Sequence, residues 1–182
     1  MFKKFIAVAV FGFLGISFLI GQPVKPEPAE NILKAAMEQA RATQKPIFLI
    51  FHASWCGWCK RLDKALESSE LKKVFEDSYV VATLDVLESK EKAEELENPG
   101  GREIMVKLDG EKSGLPFYAF LDETGKKIAD SNALPGTQNV GYPAAPEEIE
   151  AFEKLLKSSA PHMAEMQRRM IVDYLKKNSP QR

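Results

Sequence analysis

Five consecutive apolar residues, Ile47-Phe48-Leu49-Ile50-Phe51, lead through His52-Ala53-Ser54-Trp55 into Cys56-Gly57-Trp58-Cys59. A short continuous run of aromatic and β-branched residues is the pattern of a strand buried on both faces. The spacing places Cys56 at the opening of a helix that continues through Arg61, Leu62, Ala65 and Leu66. The chain has two cysteines among its 182 residues, and this spacing sets them one helical turn apart. A disulfide across so short a loop removes little chain entropy and so stabilises little. The pair is therefore read as an exposed dithiol kept for redox chemistry.

The length fits one domain with appendages. With 45% hydrophobic and 28% charged residues the composition is that of a globular protein, and a net charge of −1 offers no footprint for nucleic acid. Residues 1–22 stand apart: Lys3 and Lys4 precede an uncharged run from Phe5 to Ile20, closed by Gly21. This is the layout of a secretory signal peptide, and the run is short beside the roughly 20 residues of a spanning helix. Leu19 makes a poor cleavage site at Gly21, so an uncleaved N-terminal membrane anchor stands beside the signal reading. Either places the domain outside the cytoplasm, in a periplasm or an equivalent space, secreted or tethered. Residues 23–30 read as a linker.

Helical spacing marks an amphipathic helix over Asn31 to Thr43, and Tyr79 to Val86 reads as a second buried strand. A short helix is expected over Glu70 to Glu76. Glu88 to Glu97, dense in Glu and Lys, reads as an exposed helix with a solvated face. Gly114-Leu115-Pro116-Phe117 enters a strand reaching Leu121, and a turn at Asp122–Lys126 joins it to a partner strand over Lys127 to Ser131. Pro135-Gly136 and Gly141-Tyr142-Pro143 mark a loop. Helices follow from Pro146 and from about Pro161 to Lys177, with Met163, Met166 and Met170 read as core.

Cysteine pairs at this spacing also bind metals. A zinc site would need two further ligands, for which His52 and His162 are the available histidines. Haem attachment is excluded because Lys60 stands where histidine would be required. At the start of a helix, unpaired N–H groups and the dipole favour a thiolate, which makes Cys56 the candidate nucleophile and Cys59 the resolving thiol.

The strand entering Trp-Cys-X-X-Cys-Lys, together with Gly-Leu-Pro-Phe before a hairpin, resembles the thioredoxin superfamily over roughly Asn31 to Leu156. Within it the chain is similar to secreted bacterial thioredoxin-like proteins and to the C-terminal domain of the membrane thiol:disulfide interchange reductase. The resemblance implies an α/β thioredoxin fold, a central mixed sheet flanked by helices, with an enlarged central connection and an extra C-terminal helix. It implies a thioredoxin-like domain over 31–158 and a helical extension over 159–182. It further implies a protein disulfide oxidoreductase using Cys56 and Cys59, needing no metal and no other cofactor. Pro116 would be a cis-proline facing the dithiol, the backbone of Leu115 would pair with substrate, and Trp55, Gly57 and Trp58 would rim the site. The alternative for Pro116 is an ordinary trans proline at a strand start. The implied partners are protein disulfides and a membrane-bound reductase as electron donor, so reduction is the leading direction, with oxidation or isomerisation the rival. A non-enzymatic binding or metal-handling protein is the rival from another class. One departure bears on mechanism: Ile50 stands where thioredoxins carry a buried acid six residues before the first cysteine. The proton relay must then come from water, Lys60 or a carboxylate elsewhere, while His52 is placed to raise thiolate content if protonated.

Overall fold

Apolar at each of its first five positions, β1 (Ile47–His52) takes the interior of the sheet in the computed structural model, which describes residues 25–180. The segment read as signal or anchor, with the first part of the linker, lies outside the described residues. Helix α1 (Ala29–Thr43) precedes β1 and stops at Gln44, whose left-handed backbone returns an N–H to the Ala40 carbonyl. Helices α2 (Gly57–Leu66) and α3 (Lys72–Ser78) then carry the chain over to β2 (Val80–Asp85). Two short helices, α4 (Ala93–Leu96) and α5 (Gly101–Lys107), fill the enlarged connection before β3 (Phe117–Leu121) and β4 (Lys127–Asp130). Helices α6 (Pro146–Ser159) and α7 (Glu165–Asn178) complete the described chain.

The sheet runs β2-β1-β3-β4, with β2 parallel to β1 and the two remaining pairs antiparallel. This is the central mixed sheet flanked by helices that the resemblance implies, extended by a C-terminal helix. Alternation along β1 and β3 divides the interior into two layers. Ile47, Leu49 and Phe51 join Phe117, Ala119 and Leu121 beneath α1 and α5. Phe48 and Ile50 join Tyr118 and Phe120 beneath α2, α3, α6 and α7. Phe48 stacks on Phe120 at 4.7 Å and meets Tyr118 edge-on at 5.3 Å, a geometry that adds to simple burial. Across that layer Tyr79 and Ser159 share a hydroxyl hydrogen bond of 2.7 Å, which ties the end of α3 to the end of α6.

Three expectations need correction. The second strand is a sheet edge, so Val81 is exposed although Val80 and Leu84 are buried. The charge-rich segment forms only the four-residue α4, and the carboxylates of Glu88 and Glu97 bond back to the backbone N–H groups of Ser54 and Glu88. Glu88 and Glu97 are thus structural ties, while Lys90, Glu91, Lys92, Glu94 and Glu95 between them form the expected solvated face. In the final helical region Met163 is buried, but Met166 and Met170 face solvent because Ile171, Tyr174 and Leu175 supply the packed side of α7.

Candidate functional site

The dithiol lies where β1 gives way to α2. The Cys56 N–H closes a turn onto the Ala53 carbonyl at 3.0 Å, and Cys56 keeps extended backbone angles as the cap of a helix that begins at Gly57. Its sulfur accepts the backbone N–H of Cys59 at 3.1 Å, so one of the unpaired donors of the helix start points at the sulfur. A negative charge there would be stabilised by that N–H and by the helix dipole. The two cysteines are joined in a disulfide with their Cα atoms 5.3 Å apart. They are not open to solvent as the spacing alone led us to expect. Cys56 is 3% and Cys59 1% exposed, because Ala53 and the half-buried Leu115 pack over them.

Leu115 belongs to the loop that enters β3, and the Leu115–Pro116 peptide bond is cis. Pro116 is buried directly before Phe117, the first β3 residue paired to β1. Phe117 in turn packs against the Gly110 turn so closely that a Cβ on Gly110 would fall 2.6 Å from the ring. Trp58 is 46% exposed and stacks on Tyr142 at 6.1 Å, with the Arg61 guanidinium 5.5 Å from the Trp58 ring centre. Trp55 is 60% exposed, yet its indole N–H donates to the Leu87 carbonyl at 2.8 Å. Nothing lies within 4 Å of a Cβ built on Gly57, which leaves the helix start open beside the sulfurs.

The opposite flank is charged. His52 Nδ1 lies 2.7 Å from Asp85 and Nε2 lies 3.0 Å from Asp63, so the ring bridges the ends of β1 and β2 to the middle of α2. Asp63 falls one helical turn after Cys59. Burial raises its carboxyl above the ordinary aspartate value, and the neighbouring His52 opposes that rise. Glu88 grips Ser54 twice, accepting its N–H and, at 2.7 Å, its hydroxyl. Beyond His52 opens a cleft of about 770 Å³, whose walls include Asp63, Glu67, Lys72 and Asp85 but neither cysteine.

The structure therefore gathers Trp55, Cys56, Gly57, Trp58, Cys59 and Leu115 at one place, with Pro116 adjoining Leu115. His52 is engaged by two carboxylates, and His162 lines a separate surface cleft with Arg41 and Asp122, so the two histidines do not converge on the dithiol. Ile50 is buried in the aromatic layer, and Lys60 is exposed. Sequence reasoning missed Asp63, Asp85, Glu88 and Tyr142. Asp63 alone carried a local signal, its four-residue spacing from Cys59.

The thioredoxin-like family model matches residues 29–123. Protein disulfide-isomerases from Hordeum vulgare and Triticum aestivum are 25% and 26% identical to the chain over 121 residues, 66% of its length. The chain spans 20% of the length of either relative. Among solved structures, a disulphide isomerase from Xylella fastidiosa Temecula1 has a TM-score of 0.49 at 20% identity, covering 84% of this chain and 92% of that one. The oxidised C-terminal domain of DsbD from Neisseria meningitidis has a TM-score of 0.41 at 22% identity, covering 58% and 84%.

Proposed function

We propose that this chain, which belongs to the thioredoxin-like family, is a protein disulfide oxidoreductase in which Cys56 attacks and Cys59 resolves in exchange with protein disulfides. The Cys56 thiolate attacks one sulfur of the substrate disulfide, and the other substrate sulfur leaves as thiolate. Cys59, as thiolate, then attacks the Cys56 sulfur and releases the second substrate thiol. The substrate gains two electrons, and the chain ends with the Cys56–Cys59 disulfide. The observation that carries this reading is the Cys56 sulfur capping α2 and accepting the Cys59 N–H within disulfide reach of Cys59.

Trp55, Gly57 and Trp58 form the rim on which substrate rests, and the Leu115 backbone beside Pro116 pairs with its extended segment. We take residues 31–158 as the working unit and 159–182 as a helical extension of it. The chain acts outside the cytoplasm, secreted or tethered through residues 1–22, and draws electrons from a membrane-bound thiol:disulfide reductase. Reduction is the direction we favour, since an oxidising compartment needs a dedicated electron supply to keep such a dithiol reduced. The names of the cereal relatives make isomerisation the second reading. A Cys56–Cys59 potential near that of strong oxidants, roughly −120 mV, would exclude the reductase direction.

Cys59→Ala tests the assignment. The variant is expected to accumulate mixed disulfides with extracytoplasmic proteins through Cys56, and Cys56→Ala to accumulate none through Cys59. Equal trapping by the two single variants would refute the division of roles.

A further inference from the structure

The loop bearing Leu115 and Pro116 lies beyond the reach of the sheet ladder on one side. Pairing of β3 with β1 stops at Phe117, and pairing with β4 begins only at Ala119. The carbonyls on either side of the Leu115–Pro116 bond are held by one side chain from a distant loop. Asn139 donates through Nδ2 to the Gly114 carbonyl at 2.7 Å and to the Pro116 carbonyl at 3.0 Å. Its Oδ1 accepts the Gly141 N–H at 3.1 Å. Two acceptors on one side and a donor on the other allow only this orientation of the amide.

Asn139 is itself fixed from behind. The Val140 N–H donates to the Ser131 carbonyl at 2.7 Å, and the Leu134 N–H donates to the Gln138 carbonyl at 3.1 Å. Buried Ser131 also exchanges hydrogen bonds with the Tyr118 backbone, two residues after Pro116. The Asn139 segment and the start of β3 are thus referenced to the same residue.

We propose that Asn139 is a positioning residue of the exchange site. Its amide clamps the Gly114 and Pro116 carbonyls and thereby holds the Leu115 backbone where an extended substrate chain must pair. The inference rests on the exchange reading above. It assigns Asn139 to recognition of a peptide backbone and gives it no part in attack at sulfur.

Asn139→Asp isolates the clamp because it keeps the shape and removes the donors. An ionised carboxylate there faces two carbonyl oxygens, whereas the protonated acid regains one O–H donor. Asn139→Ala removes the donors without adding charge. The whole chain, reduced beforehand, is mixed with insulin as a peptide disulfide and with hydroxyethyl disulfide, which has no backbone to pair. For either variant we expect the insulin rate near pH 7 to fall about tenfold, the size of one or two lost hydrogen bonds, with hydroxyethyl disulfide within about twofold of the unaltered chain.

As the pH falls through the ordinary aspartate range, to about 4, the insulin deficit of Asn139→Asp should shrink while that of Asn139→Ala stays constant. Asp109, Glu111, Lys112 and Asp130 share the Asn139 cleft, and they are common to both proteins and cancel in the ratio of variant to unaltered rate. An unchanged insulin rate, equal loss on both disulfides, or an Asn139→Asp deficit that ignores pH overturns the inference and leaves the exchange reading standing. Failure of the unaltered chain to reduce either disulfide sinks that reading and this inference together.

Discussion

Before Cys56, the turn from β1 is tied by carboxylates: Asp63 and Asp85 on His52, and Glu88 on Ser54. After it, Trp58 leans on Tyr142 with Arg61 against its ring, and the contact is mainly aromatic. The charged flank gains from short, directed bonds whose strength depends on which groups hold protons. The aromatic flank gains from area and polarisability, tolerates displacement, and presents apolar surface to a partner. A dithiol that must receive many disulfides is well served by one fixed side and one adaptable side.

Removing the bridging ring from the charged flank should have the largest effect on stability. His52→Ala leaves two carboxylates facing a space without their shared partner, and partial solvent exposure of both moderates the penalty. We expect a loss of about 1–2 kcal/mol in urea denaturation near neutral pH. A change indistinguishable from zero would erase the contrast between the flanks. Next in size is Trp58→Ala, expected to cost about 1 kcal/mol through the lost stacking and cation–π contact. Its cost should be the same near pH 5 and near pH 8, and a strong pH dependence would show that the aromatic flank is not independent of charge.

The smallest effect is a slope. With its carboxyl raised by burial, native Asp63 binds more protons than the unfolded chain in the interval just above the ordinary value of 3.8. Its contribution to stability therefore falls as pH rises through that interval and is constant on either side. Subtracting the stability of Asp63→Asn from that of the unaltered chain across pH should give this downward step. An upward step would mean that attraction to His52 outweighs burial.

The sequence made plain what depends on neighbours along the chain. The buried strand, the helix starting at the cysteines and the proline-led entry to β3 all follow from local patterns of apolar, cysteine and proline residues. What it concealed depends on closure in space. Glu88 and Glu97 belong to a run of charges with no local reason to turn inward, and their backbone partners appear only when β2 brings that run beside Ser54 and folds the α4 loop back. Tyr142 and Asn139 sit in a loop marked by glycine and proline, where composition tells only that the chain turns. The alternation along Tyr79 to Val86 was hidden by residues apolar enough to suit an interior strand, and only the strand order makes it an edge. Conversely, Met166 and Met170 share the helical spacing of the packed side and still lie off it, because burial along α7 is set by where α6 stands.

The cover over the sulfurs comes late in the chain. Leu115 follows Cys59 by many residues, and at about 5–20 residues per second its synthesis lags that of the cysteines by several seconds. Throughout that interval a growing chain holds both cysteines beside Ala53 but without the Leu115 side chain that packs over them. Its first encounters with oxidants or foreign thiols are then governed by the clock of synthesis, before the folded site can choose its partners.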